Sequence, residues 1–319
     1  MKEKIKFGQT SLEIVPLIFG GNVFGWTLDQ NSSFSMLDRF FDLGFNAIDT
    51  ANTYSHWVPG NSGGESETII GNWIQRYGGR EKMVLMTKAG GRMATDGKPN
   101  STAAHIKEQV VLSLKRLQTD YIDLYQLHYD DEVTAVEETL RAFEDLVKEG
   151  KVRYIGASNI SPERLVESLD TAQEKALAPY VSLQPEYNLF DRAKYENLYQ
   201  PITLEKQIAV IPYYALASGF LSGKYKSEDD FQLSARGADV KNRYWNSRGQ
   251  AILEALQQVS SQYEVSTAAV ALAWLLTHKE VAAPIASATK EGHLHAFVEA
   301  LQLRLDATSL SLLNNASKY

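Results

Sequence analysis

The 319-residue sequence contains no cysteine. Disulfides, thiolate nucleophiles and cysteine-ligated metals are excluded together. Nor is there an apolar run long enough for a bilayer. The longest, Ala268–Leu276 (AAVALAWLL), falls far short of the ~20 residues a spanning helix needs. An excess of positive charge is missing too: 32 Lys and Arg stand against 39 Asp and Glu, a net charge of −7. With no basic block or stripe, neither nucleic acid nor an anionic membrane surface is an expected partner. The opening MKEKIKFGQT carries charge without an apolar stretch and does not read as a signal peptide. The expectation is a cytoplasmic protein.

The common nucleotide fingerprints are absent as well. No G-x-G-x-x-G follows a candidate strand, and GGNVFG at 20–25 has the wrong spacing. The sequence holds no P-loop, no H-E-x-x-H and no low-complexity segment. His293 and His295 lie close together, but no carboxylate completes a metal set around them, so no metal is expected.

What is present is a 44% hydrophobic chain with a regular alternation of short and long segments. After an N-terminal hairpin around Ile5–Phe7 and Ile14–Val15, eight apolar runs follow: PLIFG (16–20), NAIDT (46–50), MVLMTK (83–88), DLYQLH (123–128), VRYIGAS (152–158), VSLQPE (181–186), AVIPYY (209–214) and AAPIAS (282–287). They lack polar alternation, as strands buried on both faces do. Helical patterns separate them. The stretch 31–44 opens with capping residues and closes on Gly44, 135–150 has apolar positions at 136, 140, 143, 146 and 147, and 161–175 has Ser161 as N-cap before Pro162. Eight strand–helix units without a linker predict one α/β domain over 1–319, a single (β/α)8 barrel. Three insertions, 54–64, 89–104 and 215–249, all follow strands and so overhang the C-terminal face, where barrel enzymes place their sites.

The ends of strands two, three and four of that barrel carry the chemistry. FNAIDTANTY places Asp49 and Tyr54 after the second strand, Lys88 ends the third, and His128 ends the fourth. Singly, each has an ordinary reading: a turn residue, a lid residue, a snorkelling lysine, a structural histidine. Neighbouring strands bring all four into one pocket. A buried carboxylate needs a partner, and Lys88 supplies it for Asp49. A cation beside Tyr54 is expected to lower the phenol's pKa from about 10 and make it a better acid. With His128 orienting a carbonyl oxygen, the group fits proton donation to a carbonyl as hydride arrives at its carbon.

On these segments the sequence resembles the aldo-keto reductase superfamily over nearly its full length. GFNAIDTANTYS resembles the segment with the family's catalytic aspartate and tyrosine, MTKAG the lysine segment and DLYQLHYDD the histidine segment. The resemblance implies a catalytic set of Asp49, Tyr54, Lys88 and His128, with Tyr54 as proton donor. It also implies NADPH/NADP+ bound in extended form without a Rossmann domain. GKVRYIGASNI resembles the stretch whose Ser158 and Asn159 hold the nicotinamide carboxamide, and LQPEYNLF supplies Gln184. VIPYYALASGFLSGKY resembles the segment that stacks Tyr213 on the ring and wraps the pyrophosphate with Leu216, Ser218 and Lys224, joined by Arg236. Lys224 and Arg236 also read as solvated loop charges. Asn22, Asp49, Ser287 and Thr289 complete the expected cofactor contacts.

One region departs from the family. Where a Glu–Asn pair for adenine and the 2′-phosphate is usual, this sequence has Ala296 and Phe297, leaving Lys290 and His293 beside a helix start as the phosphate candidates. Trp26, Trp57 and Tyr129 form the expected substrate wall, a rim that suits sugars and aromatic carbonyls alike. The expected partner is a small carbonyl compound, reduced to its alcohol. Two other functions stay open: a cofactor-binding regulatory barrel with little turnover, as relatives associated with potassium channels suggest, and a Schiff-base aldolase using Lys88.

Overall fold

The computed structural model describes residues 3–92 and 97–319, so part of the 89–104 insertion lies outside the described residues. All eight runs form strands: β3 Ile18–Gly20, β4 Ala47–Asp49, β5 Val84–Ala89, β6 Ile122–Leu127, β7 Val152–Ser158, β8 Tyr180–Gln184, β9 Ala209–Val210 and β10 Ile285–Ala286. They pair in parallel in the order β10-β3-β4-β5-β6-β7-β8-β9. The ring closes just before β10, where Val210 N–H donates to Glu280 O and Ala282 N–H donates to Val210 O, both at 2.9 Å. The fold is a (β/α)8 barrel. Before it, β1 Ile5–Lys6 and β2 Glu13–Ile14 make the expected antiparallel hairpin.

Each strand separates two cores. Ile48, Leu85, Tyr125, Ile155 and Leu183 face outward, into the packing between sheet and helices. The alternate positions Ile18, Ala47, Met86 and Leu124 join Phe7, Leu12 and Ile14 of the hairpin region in a second cluster. The hairpin therefore plugs the N-terminal end of the barrel. Two residues further along the same inward faces stand Asp49, Lys88 and Gln126, because side chains repeat with period two. The runs do alternate after all, but between an outer apolar face and an inner face that turns polar only near its C-terminal end.

The helices follow their sequence signals with one correction. The first barrel helix, α1, runs Gln30–Asp42, and its N-cap is Asp29, whose Oδ1 accepts from Ser32 N at 2.8 Å. The expected capping residues at 31–33 lie inside the helix; a carboxylate accepts more strongly than the hydroxyls that follow it. Next come α2 Glu65–Tyr77, α3 Ala103–Leu117, α4 Val136–Lys148 and α5 Pro162–Lys175. Ser161 caps α5 as expected, accepting from Arg164 N at 3.2 Å. Helices α2 and α3 come unusually close at Gly71, where a Cβ would stand 2.1 Å from Arg116 O. Beyond α6 Gln200–Glu205, the 215–249 insertion contains 3-10 turns and α7 Gly237–Tyr244.

Three of the four remaining helices are α8 Ser247–Tyr263, α10 Leu294–Gln302 and α11 Ala307–Ala316. The long apolar run is α9, Thr267–Leu276, buried on nearly every side between α8 and α10. A helix apolar all round belongs in a core. Among the described residues no helix is long and apolar enough to cross a membrane.

Candidate active site

The C-terminal end of the barrel brings Asp49, Tyr54, Lys88 and His128 together. Lys88 Nζ donates to Asp49 Oδ2 at 2.6 Å, to Thr50 O at 2.8 Å and to Tyr54 Oη at 2.9 Å. Three acceptors match the three N–H bonds of an ammonium. Lys88 is 0% exposed and Asp49 1%, so this ion pair lies inside the protein. Burial draws the lysine below its ordinary value, while the charge and hydrogen bond of Asp49 oppose it. Because Tyr54 Oη accepts from Lys88, its own O–H is left to point elsewhere.

The other oxygen of the carboxylate is held by amides. Asp49 Oδ1 accepts from Gln126 Nε2 at 3.1 Å and from Gln184 Nε2 at 3.0 Å. Gln126 was not among the expected site residues. Its signal was available: it stands two residues before His128 on the inward face of β6.

The phenol differs from expectation. Burial, reinforced by the Asp49 carboxylate, pushes Tyr54 well above its ordinary value rather than below it. The physical reason is that Asp49 compensates Lys88, so the phenol meets a neutral pair inside a poorly solvated pocket. Tyr54 is therefore held in its protonated form. His128 is pushed well below the usual imidazole range by burial, then by the charges of Lys88 and His56. It is a neutral ring at neutral pH. Its ring centre lies 6.0 Å from that of Tyr54, and Gly91 leaves room for it, since a Cβ there would stand 2.7 Å from His128 Nδ1.

A second buried carboxylate supports the lysine strand from behind. Glu67 of α2 accepts from Thr87 Oγ1 at 2.6 Å and from Arg116 Nε at 2.6 Å, and it is fully buried. Thr87 precedes Lys88 on the outward face of β5. The sequence reading missed this pair because an ion pair between two helices leaves no local spacing pattern.

Ser158, Asn159, Gln184 and Tyr213 form one linked group. Asn159 Nδ2 donates to Ser158 Oγ at 3.0 Å and to His128 O at 2.9 Å, and Tyr213 Oη donates to Asn159 Oδ1 at 3.1 Å. Ser158 Oγ donates to Gln184 O at 2.8 Å. Barrel closure brings Ser287 Oγ within 2.7 Å of both Asn22 Oδ1 and Gly20 O. In the loop after β9, Leu216 precedes three consecutive residues with positive φ: Ala217, Ser218 and Gly219.

Lys224, Lys290 and His293 lie near one another. Burial and the charges of the two lysines push His293 below its ordinary value. The ring accepts from Thr289 N at 3.4 Å. Arg236 has its guanidinium 4.8 Å from the Trp26 ring centre, with the Tyr214, Tyr54 and Tyr225 phenols nearby. Trp26 and Trp57 meet edge to face at 5.6 Å, Trp57 meets Tyr54 at 6.2 Å, and Tyr129 lies 4.9 Å from His128. Ala296 and Phe297 are buried, Phe297 against Phe40 and Phe45, so neither offers a polar group to the surface.

Residues 16–318 match the sequence model of the Aldo/keto reductase family. The chain belongs to this family. Similar proteins include the aldo-keto reductase YhdN of Bacillus subtilis (strain 168), 35% identical over 292 residues, covering 88% of this chain and 81% of that protein. The aryl-alcohol dehydrogenase GME11368 of Pestalotiopsis microspora is 31% identical over 312 residues, 93% of this chain and 77% of its own. A probable voltage-gated potassium channel subunit beta from Oryza sativa subsp. japonica is 31% identical over 307 residues, 93% and 90% of the two chains. Membership supports an oxidoreductase acting on carbonyls. In this aldo/keto reductase, the linked polar groups crowd the barrel end predicted from its strand order.

Proposed function

We propose that this aldo/keto reductase is a single-domain, NADPH-dependent reductase of aldehydes or ketones, with Tyr54 as the proton donor. The observation that carries the proposal is the buried contact of Lys88 Nζ with both Tyr54 Oη and Asp49 Oδ2, at 2.9 and 2.6 Å. A bound nicotinamide supplies the hydride. Tyr54 keeps its proton until a substrate oxygen needs it, and Lys88 then stabilises the phenolate left behind. His128, neutral and beside Tyr54, orients the substrate oxygen by donating to it. The aromatic rim of Trp26, Trp57 and Tyr129 excludes water from the reacting carbon. A nucleophilic role for Lys88 fits poorly, because its three contacts suit an ammonium without a free lone pair.

The residues present also suit a dinucleotide phosphate. Ser158, Asn159, Gln184 and Tyr213 offer linked polar groups and an aromatic face for the carboxamide ring. In the positive-φ run at 217–219 the N–H groups of Ala217 and Gly219 already donate to Tyr214 O and Leu216 O, so the Ser218 side chain and Lys224 are the groups that suit phosphate oxygens. Ser158→Ala combined with Asn159→Ala is expected to weaken NADPH binding about ten- to a hundredfold, since two polar contacts are lost. Fluorescence titration reads this directly, and an unchanged affinity would place the carboxamide elsewhere.

The preference for NADPH rests on Lys224 and Lys290, with His293 beside them. Lys290, His293 and the start of α10 favour a 2′-phosphate, while the buried Ala296 and Phe297 give adenine little to hold. Lys290→Ala with His293→Ala is expected to reduce NADPH affinity about tenfold or more and to leave NADH affinity nearly unchanged. Because the His293 value is depressed, its charge adds to phosphate binding only as pH falls below the usual imidazole range. An affinity ratio that survives the double substitution removes these side chains from cofactor selection. Turnover on a panel of aldehydes and ketones tests the main reading: activity supports it, and cofactor binding without turnover would favour a regulatory barrel.

A further inference from the structure

Resting on the reading that Gln184 meets the nicotinamide carboxamide, we infer that Gln126 is a positioning residue that locks the Gln184 amide with its carbonyl oxygen toward the cofactor. The lock is a closed triangle inside the barrel. Gln184 Nε2 donates to Asp49 Oδ1 at 3.0 Å and to Gln126 Oε1 at 3.0 Å, and Gln126 Nε2 donates to Asp49 Oδ1 at 3.1 Å. All three residues are buried.

The chemistry of the carboxylate fixes the direction of every bond. Asp49 accepts and cannot donate. Each amide must therefore present its NH2 to Oδ1, since a turned amide would put a carbonyl oxygen against a carboxylate oxygen. Gln184 has two N–H bonds; one goes to Asp49 and the other to Gln126 Oε1. Its nitrogen is then saturated, and Oε1 is the end left to meet a ligand. That end is a pure acceptor, so it reads the NH2 of a carboxamide and not its oxygen.

Topology explains why Gln126 does this. Gln184 on β8 lies across the barrel from Asp49 on β4, and β6 stands midway between them in the sheet order. Gln126 projects from β6 into that gap. Without its carbonyl, one buried N–H of Gln184 has no acceptor, a costly state that frees the amide to turn toward other partners. The same side chain also touches the carboxylate that holds Lys88. One residue thus links the cofactor end of the site to the proton-donor end.

The test compares binding, not turnover. Affinities for NADP+ and for its 3-acetylpyridine analogue, in which a methyl group replaces the carboxamide NH2, are measured by protein fluorescence. The affinity for 2′,5′-ADP, which lacks the nicotinamide half, serves as the control. The parent is expected to favour NADP+ by about tenfold, the size of one net hydrogen bond. Gln184→Met should abolish that preference. If the parent shows no preference, or Gln184→Met keeps it, the carboxamide reading fails and the lock fails with it. Gln126→Met should also lose most of the preference while 2′,5′-ADP binding stays unchanged.

Gln126→Glu should keep the preference. Burial beside Asp49 drives the introduced carboxyl toward its neutral form, which donates to Asp49 and accepts from Gln184 as the amide did. Loss of preference in Gln184→Met but not in Gln126→Met, or equal loss in the Met and Glu variants, overturns the lock. Should Gln126→Met not fold, a crystal structure of the parent with NADP+ decides. Gln184 Oε1 against the carboxamide nitrogen, with Nε2 still on Asp49, supports the lock; Nε2 turned to the cofactor overturns it.

Discussion

Tyr54→Phe is expected to lower kcat for reduction of an aromatic aldehyde by roughly 10²–10⁴-fold, the range for loss of a general acid. Only the hydroxyl is removed. The ring contacts with Trp57 and His128 remain, so folding and NADPH affinity should change little. The measurement must be made where chemistry limits the rate, because slow product release would hide the loss. A variant within twofold of the parent under those conditions would falsify the assignment of Tyr54 as proton donor.

The same site predicts how reduction responds to pH. Tyr54 lies well above its ordinary value and loses its proton only in strong base. His128 lies well below its ordinary value and gains one only in acid. Between these limits both groups keep one protonation state. With saturating cofactor, kcat for reduction is therefore expected to be flat from about pH 6.5 to 9, between the ordinary imidazole and phenol ranges from which the two groups are displaced outward. A phenol acidified by Lys88 would instead make reduction fall on the alkaline side of neutrality. Such a fall, disappearing in Tyr54→Phe, would mean that Asp49 does not neutralise the lysine.

Most of the architecture was legible because the barrel writes itself locally. Each strand is a short apolar run, each helix has a periodic face, and Asp49, Lys88 and His128 sit within one residue of consecutive strand ends. Their convergence followed from strand order alone. Long-range side-chain chemistry was less legible. Gln126 looked like one more strand residue in DLYQLH, although its spacing from His128 fixed its face. Glu67 and Arg116 belong to different helices, and no interval in the sequence marks their contact. The direction of the Tyr54 shift was misread for a related reason. A lysine beside a phenol suggests acidification, but the outcome depends on whether Asp49 already compensates that lysine and on how far water is excluded. Arg236 reads in the sequence as a loop charge beside Lys224, and its place over the Trp26 ring leaves no local spacing pattern either.

Lys88→Met carries the largest expected effect on stability. The substitution keeps the length of the side chain but leaves the Asp49 carboxylate buried with two amide donors and no cation. Breaking a buried ion pair from one side typically costs about 3–5 kcal/mol, because the remaining charge is uncompensated. A lower midpoint in urea with an unchanged slope would report that loss. Removing the other charge as well should reverse much of it. In Asp49→Asn with Lys88→Met, the introduced amide oxygen still accepts from Gln126 and Gln184, and no net charge stays inside. The double variant is expected to be more stable than Lys88→Met alone, yet as inactive, because nothing then stabilises a phenolate at Tyr54. Recovery of stability without recovery of turnover would show that the barrel keeps this ion pair for proton transfer. If the double variant is no more stable than the single one, Lys88 holds the barrel end together through Thr50 and Tyr54 rather than through charge.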